Sequence, residues 1–278
     1  MKMNLTKGDK IFLILILIGY VIGFILVAVT GFSFSLEGVG NRWIIYPFGQ
    51  SLPGLNPLTI IMTVAIIAGV MIFMSSVKVF KIVPGKRQSL IEIILEYVYN
   101  LCKEAISVKR FIKPTFTIAV ALFIFILISN LMTAFPGLNA VADSNGNLIK
   151  LTLFQDTWYS PTSDLNTNGI YAVFVLVVSH VFAIKAKGVK KWAKTFFEPT
   201  PIMFPMNFIS EIAKPISHSL RLFGNIMGGG ILVLIISYLL KYFVLPAFLW
   251  GFFGLFIGFI QAMVFTLLAI AYIGSVIE

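Results

Sequence analysis

One segment of this 278-residue chain carries polar and ionisable side chains at helical spacing within an otherwise apolar run. At 100° per residue, their spacings of 4, 3, 4, 3 and 4 place them within an arc of about 80°. Ionisable groups at membrane depth are costly unless they are paired or hydrated, so such a stripe normally lines a water-filled path or faces another protein surface. A structural network satisfied within the chain is the alternative. This polar stripe consists of Asn207, Glu211, Lys214, His218, Arg221 and Asn225.

Arg221 needs an anionic partner, because its guanidinium stays charged at physiological pH and water is scarce at membrane depth. Of the eleven acidic residues, only Glu211 lies in a predicted membrane helix, about 15 Å along the helix axis from Arg221. The sequence therefore supplies no adjacent carboxylate. We infer that the counter-charge comes from another chain or from a mobile anionic ligand.

The composition predicts an all-α, polytopic membrane protein. Hydrophobic residues make up 59% of the chain and charged residues only 12%, against roughly a quarter charged in soluble domains. Because a bilayer offers no water to backbone amides, apolar runs of about 20 residues must cross it as helices. The net charge of +10 does not indicate a nucleic-acid binder, since the basic residues lie between the apolar runs.

The apolar runs predict about six membrane helices, at residues 11–30, 58–77, 114–135, 169–184, 200–240 and 243–277. Lys and Arg concentrate in two connections, with eight in residues 78–113 and five in residues 185–194. The positive-inside rule places both connections in the cytoplasm, and six crossings then place both termini there. The first run resembles a signal peptide, but its length favours a retained helix.

Two connections have structure of their own. Residues 88–108 have one apolar face and one charged face, which predicts an amphipathic helix along the inner membrane surface. A soluble helix packed on another subunit is the alternative. Residues 136–168 form a polar outer loop, in which Asn145-Gly146 favours a short hairpin.

The two C-terminal runs predict long, strongly tilted helices. From residue 206 to residue 240 a helix would extend roughly 50 Å, against a hydrocarbon core of about 30 Å, so it must tilt, bend or break. Pro215 favours a bend. Glycines let helices approach closely, and a strip of them shares one face of the last run with Gln261, where we expect it to pack against the polar stripe or a neighbouring ring of helices. The predicted helix-packing residues are Gly224, Gly251, Gly254 and Gly258.

The sequence shows no pattern of an enzyme active site. It contains no P-loop, no metal-ligand cluster and no nucleophile–base pair, so we expect no catalysis, metal or cofactor. Cys102 has no partner for a disulfide and is predicted to be structural, as is His180 at the inner end of its helix. The four tryptophans are predicted to anchor the chain at the membrane interfaces.

The residues around Arg221 resemble a known family. The segment of residues 214–225 (KPISHSLRLFGN) is closely similar to the signature of the F-type ATP synthase a subunit family. Residues 83–92 look like the cytoplasmic segment of that family, and Gln261 matches a glutamine of its last helix. The resemblance covers about residues 55 to 277 and leaves residues 1–50 unmatched.

The resemblance implies a non-catalytic, ion-conducting stator subunit. In the family this arginine faces a carboxylate on each passing c-subunit helix, between an outer and an inner half-channel. Its charge favours the ionised carboxylate and repels free cations, which prevents a direct leak. The residues implied in ion translocation are Arg221, Asn225, Gln261, Glu211, His218, Lys214, Asn207 and Ser217.

The resemblance also implies partners and organisation. The partners would be the c-subunit ring, the b-subunit peripheral stalk, the remainder of the F0F1 complex and the lipid of a bacterial inner membrane. Residues 1–57 would form an N-terminal helix and outer loop, and residues 58–198 the following helices with the amphipathic helix. Residues 199–278 would form the ion-translocating hairpin.

At two positions the sequence departs from the family pattern, which leaves the identity of the translocated ion undecided. Proton-translocating relatives often carry Glu and His at the positions that Gly230 and Gly254 occupy here. Either His218 takes over the acid–base role, for which histidine is suited, or the ion is Na⁺ instead of H⁺. Two other classes remain as alternatives: a secondary transporter that binds an anionic solute at Arg221, and a membrane scaffold without conduction.

Overall fold

The computed structural model describes residues 43–46, 54–75, 84–143, 145–198, 200–240 and 244–277. The predicted first helix, residues 11–30, lies outside them. In the described part, five helical segments are long and apolar enough to cross a membrane, which confirms a mostly helical, polytopic membrane protein. These segments are Pro57–Ser75, Lys109–Met132, Leu165–Lys187, Pro201–Ile236 and Phe248–Ile277.

The described elements alternate between long helices and short connections. A π-helical turn, Phe252–Ile257, connects the last two helices directly. Short 3₁₀ turns occupy Lys109–Phe111, Pro161–Ser163 and Pro201–Met203. The two strands are β1 (Pro136–Ala142) and β2 (Leu148–Thr157). The helices are α1 (Pro57–Ser75), α2 (Lys86–Ala105), α3 (Ile112–Met132), α4 (Leu165–Lys187), α5 (Val189–Thr195), α6 (Phe204–Leu240), α7 (Val244–Gly251) and α8 (Gly258–Ile277).

Helix α8 lies at the centre of the bundle. Its residues Phe265, Ala269 and Ile273 share one apolar cluster with Ile126 of α3 and Val175 of α4, and each is at most 2% exposed. Water exclusion does not drive helix association within a bilayer, so close packing holds such a cluster together. The fit of these side chains therefore helps to position α3 and α4 on α8.

Helix α1 shows the opposite pattern. Ile61, Val64, Met71 and Ile72 are each more than half exposed, and together they cover much of its outer surface. Soluble proteins rarely leave so continuous an apolar surface open to water. In a membrane protein, lipid tails cover it.

The amphipathic helix predicted at residues 88–108 is present as α2, Lys86–Ala105. Its residues Val98 and Cys102 are fully buried in the main apolar cluster, so its apolar face packs within this chain. The end of α2 lies very close to α8, because a Cβ at Gly274 would lie 2.3 Å from the carbonyl oxygen of Ala105. The location of α2 at the membrane surface stays a prediction.

The hairpin predicted around Asn145-Gly146 is confirmed. Strands β1 and β2 pair antiparallel, with Ala140 opposite Leu151. Gly146 has a φ of 82°, which few residues other than glycine adopt, and its N–H donates to the carbonyl oxygen of Asp143 at 2.9 Å. The fold is therefore mostly helical with one two-stranded sheet, whereas the sequence predicted an all-α class.

Both strongly basic connections meet at the same end of the bundle. The guanidinium of Arg110, in the turn before α3, donates to the carbonyl oxygen of Lys185 near the end of α4. The hairpin follows the other end of α3 and so lies at the opposite end of that helix. This arrangement agrees with the alternation of spans that the basic residues predict.

Helix α6 is continuous over 37 residues. Its length is about 55 Å at 1.5 Å per residue, well above the thickness of a hydrocarbon core. We expected this long helix to tilt, bend or break within the membrane. The break is wrong, because the helix is continuous. Pro215 lies buried inside the helix and has no N–H to donate to the carbonyl of Glu211, which weakens the helix locally.

Candidate functional site

The polar stripe of α6 faces α4 and α8 over much of its length. His218 is 2% exposed, and its imidazole lies between two aromatic rings of α8. The ring centroids of Phe265 and Tyr272 are 5.0 and 4.9 Å from that of His218. The middle of the polar stripe, at His218, is therefore buried, whereas Arg221 and Asn225 are exposed.

Glu211 lies between two basic side chains. One carboxylate oxygen, Oε1, forms an ion pair with Nζ of Lys214 one turn further along α6. The other oxygen, Oε2, is 3.5 Å from Nε2 of His180 on α4. Nδ1 of His180 in turn accepts a hydrogen bond from the indole N–H of Trp192 at 3.2 Å.

The sequence did not indicate this contact between α4 and α6. His180 was predicted to be structural and Trp192 to anchor the chain at an interface, yet both lie next to the polar stripe. The one signal in the sequence was the position of His180 near the C-terminal end of α4, at the same end of the bundle as the N-terminal part of α6. Which helices pack together is not encoded in local spacing, so the pairing with Glu211 could not be derived.

A small cavity lies beside this cluster. Its volume of about 10 Å³ is close to the minimum that one water molecule needs. Two of the lining residues carry a buried polar atom without a hydrogen-bond partner among the described residues: Oε2 of Glu211 and Nε2 of His218. Buried polar atoms normally have a partner, so the cavity is suited to a water molecule. The polar residues that line it are Ser179, Glu211, Lys214, His218 and Tyr272.

Arg221 lies on an exposed surface of α6. Among the described residues, no carboxylate is within 4.0 Å of its guanidinium. Its neighbours on this surface are also exposed, and a Cβ placed on Gly224 would meet no described atom within 4 Å. We call this surface the open face of α6, and it consists of Ile216, Ser217, Leu220, Arg221 and Gly224.

Beyond Arg221, the stripe connects to the last helix. Nδ2 of Asn225 donates to Oε1 of Gln261 at 2.8 Å, and Gln261 is only 4% exposed. At the other end, Nδ2 of Asn207 donates to the carbonyl oxygens of Phe196 and Glu198, both at 3.0 Å. The structure thus joins Asn225 to Gln261, whereas Asn207 and Ser217 lie apart from the cluster around Glu211.

The glycine strip of the last run packs against the end of α3. A Cβ at Gly254 would lie 2.7 Å from Cβ of Ala134, and a Cβ at Gly258 would lie 3.1 Å from Cβ of Asn130. The expected packing of these two glycines on the polar stripe or on a neighbouring ring is therefore wrong, and only Gln261 reaches the stripe. A side chain at position 254 would collide with Ala134 unless the two helices moved apart.

A buried polar cluster at the end of the bundle that carries the β-hairpin was not predicted. Oδ1 of Asn130 accepts from the hydroxyl of Thr162 at 2.7 Å, and its Nδ2 donates to the carbonyl oxygen of Gly258 at 3.1 Å. Asn168 donates to the carbonyl oxygen of Thr162 at 2.7 Å, and the neighbouring Asp164 is 7% exposed. The amides and hydroxyls come from three separate segments, so no single spacing signals them.

The fold and the site define a class of protein. It is a polytopic helical membrane protein with a partly buried ionisable stripe on one long helix and an arginine on an exposed helix face. Comparison with known sequences is then specific, because the family described as ATP synthase A chain matches residues 57–274. The chain belongs to this family, whose members are non-catalytic, ion-translocating components of the F-type ATP synthase.

Several bacterial relatives cover most of the chain, and each is described as ATP synthase subunit a. The protein of Moorella thermoacetica is 34% identical over 220 residues, which is 79% of this chain and 88% of the relative. The protein of Bacillus subtilis is 30% identical over 79% of this chain and 91% of the relative. The protein of Geotalea daltonii is 35% identical over 85% of this chain and 94% of the relative. Family membership decides against the secondary transporter and the scaffold.

Proposed function

We propose that Arg221 is the fixed charge of the ion path and that it pairs in turn with carboxylates on a c-subunit ring. The observation that supports this is the open face of α6, where the guanidinium is exposed and no described carboxylate lies within ion-pair distance. A permanent cation at membrane depth requires an anion. A passing rotor carboxylate meets this requirement without a fixed partner in the chain.

The chemistry follows from the permanent charge of arginine. As a rotor carboxylate approaches Arg221, the positive charge favours its ionised form, so the bound ion is released. The same charge repels free cations and keeps the two access paths separate. Ion release and rotor movement are thereby coupled.

We assign the polar groups on either side of Arg221 to two half-channels. On the inner side, Glu211, Lys214 and His218 surround the small cavity, with Asn207 closer to the inner loop. On the outer side, the Asn225–Gln261 hydrogen bond links α6 to α8. Ser217 lies on the open face itself, where it would meet the ring.

We propose H⁺ as the translocated ion. The inner groups include a carboxylate and two imidazoles, which can accept and release protons. The lysine beside Glu211 counts against a cation site there, because it already compensates the carboxylate charge. The glycines at positions 230 and 254 provide no titratable side chain. They do not contradict this proposal, because His218 is a titratable group within the polar stripe.

The remaining assignments follow from family membership and charge. We propose a bacterial inner membrane with both termini in the cytoplasm, since the two basic connections meet at one end of the bundle. The c-ring would contact the open face, and the b-subunit peripheral stalk would hold this chain against the rotor. We also keep the division at residues 57 and 198, with the translocating hairpin after it.

The experiment that tests this function removes the charge in the assembled complex. Arg221→Ala is expected to abolish ATP synthesis driven by an ion gradient in membrane vesicles, while immunoblots show normal amounts of the subunit. Lys194→Ala is the matched control, because it removes an exposed cation of α5, outside the candidate membrane spans. Retained coupling in the Arg221 variant would refute the proposal.

A further inference from the structure

A cluster at the inner end of α4 holds one imidazole in a defined orientation. The indole of Trp192 stands edge-on to His180, with ring centroids 5.8 Å apart, in addition to its hydrogen bond to Nδ1. Phe196 packs against both, with centroids 6.1 Å from His180 and 5.3 Å from Trp192. Two aromatic contacts and one hydrogen bond therefore fix the imidazole ring, and the contact between Trp192 and Phe196 braces the two partners.

The indole hydrogen bond also decides which nitrogen of His180 carries the proton. An indole N–H can only donate, so Nδ1 must present its lone pair. In the neutral imidazole the proton then lies on Nε2, and this atom is 3.5 Å from Oε2 of Glu211. His180 thus directs an N–H group towards the carboxylate oxygen that Lys214 does not pair with.

Glu211 and His218 both line the small cavity beside this cluster, and each carries a buried polar atom. Oε2 of Glu211 and Nε2 of His218 are both buried without a hydrogen-bond partner among the described residues, and both residues line the cavity of about 10 Å³. A buried carboxylate oxygen without hydrogen bonds is costly. The cavity has room for one water molecule, which is a suitable partner for atoms of this kind.

We propose that His180 is a positioning residue for the inner ion path. Its Nε2–H lies 3.5 Å from Oε2 of Glu211 and orients this carboxylate electrostatically at the cavity, which His218 also lines. Trp192 supports this role by fixing the tautomer of His180. The inference rests on the proposed function, because it assigns the cluster to the inner half-channel.

The test compares two amide substitutions at position 180 in the complete ATP synthase. In His180→Gln the amide nitrogen lies near the position of Nε2 and can still donate to Glu211. In His180→Asn the amide lies near the position of Nδ1 and cannot reach. Both variants are polar and neutral, so they form a matched pair, and His180→Leu removes the donor entirely.

The measurement is ion conduction through membrane vesicles stripped of the F1 sector, normalised to the amount of assembled subunit. We expect conduction to fall about tenfold in the Asn and Leu variants, since the contact of an N–H group with the carboxylate of Glu211 is lost. The Gln variant should stay within about twofold of the unchanged protein. Thr117→Val, an exposed hydroxyl that bonds within its own helix, should have no effect.

A double-mutant cycle separates positioning from packing. In a Glu211→Gln background, His180→Asn should cause little further loss, because its effect acts through the carboxylate. Equal conduction in the Gln and Asn variants, or an undiminished loss in the Glu211→Gln background, would overturn the inference. If conduction is unaffected by all substitutions at 180 while Arg221→Ala behaves as expected, only this inference fails; retained coupling in Arg221→Ala would instead defeat the proposed function.

Discussion

Lys214 and Arg221 are two cations on the same polar stripe with opposite surroundings. Lys214 pairs with Glu211, and its Nζ lies 5.4 Å from the ring centroid of Tyr272. Arg221 is exposed and has no described carboxylate within 4.0 Å. The local pair neutralises Glu211, whereas no described carboxylate neutralises Arg221.

The pair itself should matter for stability. Lys214→Met leaves Glu211 without its cation in a partly buried position, which we expect to cost about 1–3 kcal/mol. The thermal denaturation of the detergent-solubilised complex measures this cost. Lys194→Met is the control, since its pair with Glu198 is mostly exposed and should contribute little. Equal effects of the two substitutions would contradict the assignment.

Cys102 gives a second residue-level prediction. Burial raises the pKa of its thiol to about 11 from a reference of 9.0, so at pH 8 about one thiol in a thousand is ionised instead of about one in ten. We therefore expect almost no maleimide labelling of the folded protein at pH 8 and full labelling in denaturant. Since the raised pKa disfavours the thiolate, reactivity should increase only as the pH approaches 11.

An exposed cysteine on the same helix provides the comparison for that experiment. In a Cys102→Ala background, Lys103→Cys places a thiol on the exposed side of α2. It should be labelled rapidly in the folded protein. Labelling of Cys102 at a comparable rate would mean that α2 is not packed on the bundle.

At the scale of elements, periodicity and turn residues predicted much of the fold. The amphipathic helix differs by two or three residues at its ends, and the hairpin turns at Gly146 as expected. The π-helical turn Phe252–Ile257 could not be predicted, because its sequence is apolar on all sides and carries no period. The glycine strip was recognised, but its partner, Ala134, belongs to a distant segment.

The sequence also predicted only part of the candidate site. The six residues of the polar stripe follow from spacing, because one helix fixes their relative positions. The contact between His180 and Glu211 depends on how α4 packs on α6, and local sequence does not determine such packing. The water-sized cavity is lined by residues of α4, α6 and α8. It therefore depends on the packing of three helices, which the sequence did not allow us to predict.

The approach of α8 to α2 can be tested with one methyl group. In Gly274→Ala the new Cβ would lie 2.3 Å from the carbonyl oxygen of Ala105, so one backbone must move. We expect a loss of about 1–3 kcal/mol in stability and a lower melting temperature in detergent. Gly69→Ala on α1 meets no described atom within 4 Å and should be neutral. An unchanged melting temperature for Gly274→Ala would refute the close contact.

At the scale of the whole molecule, composition and charge predicted the class and the alternation of spans. Apolar surface on α1 and the contact of Arg110 with Lys185 agree with both predictions. Under the proposed function the ion binds on the partner ring, so the identity of the ion is the property that this chain determines least.

The proposed ion can be tested in the assembled complex. If H⁺ is the coupling ion, Na⁺ at neutral to alkaline pH should not slow inactivation by a carbodiimide that reacts with the rotor carboxylate. ATP hydrolysis that is sensitive to the carbodiimide provides the readout. Choline chloride at equal ionic strength is the control. Protection by Na⁺ and not by choline would establish sodium and refute the proton proposal.

The central position of α8 has a consequence for biosynthesis. The ribosome makes α2, α3 and α4 before α8, yet the apolar cluster that joins them requires Phe265, Ala269 and Ile273. Until translation reaches these residues, the earlier helices present an unfilled groove to the lipid. Nascent chains should therefore depend on insertion factors to keep that groove from binding wrong partners, and chains that stop before α8 should be recognised and degraded by membrane proteases.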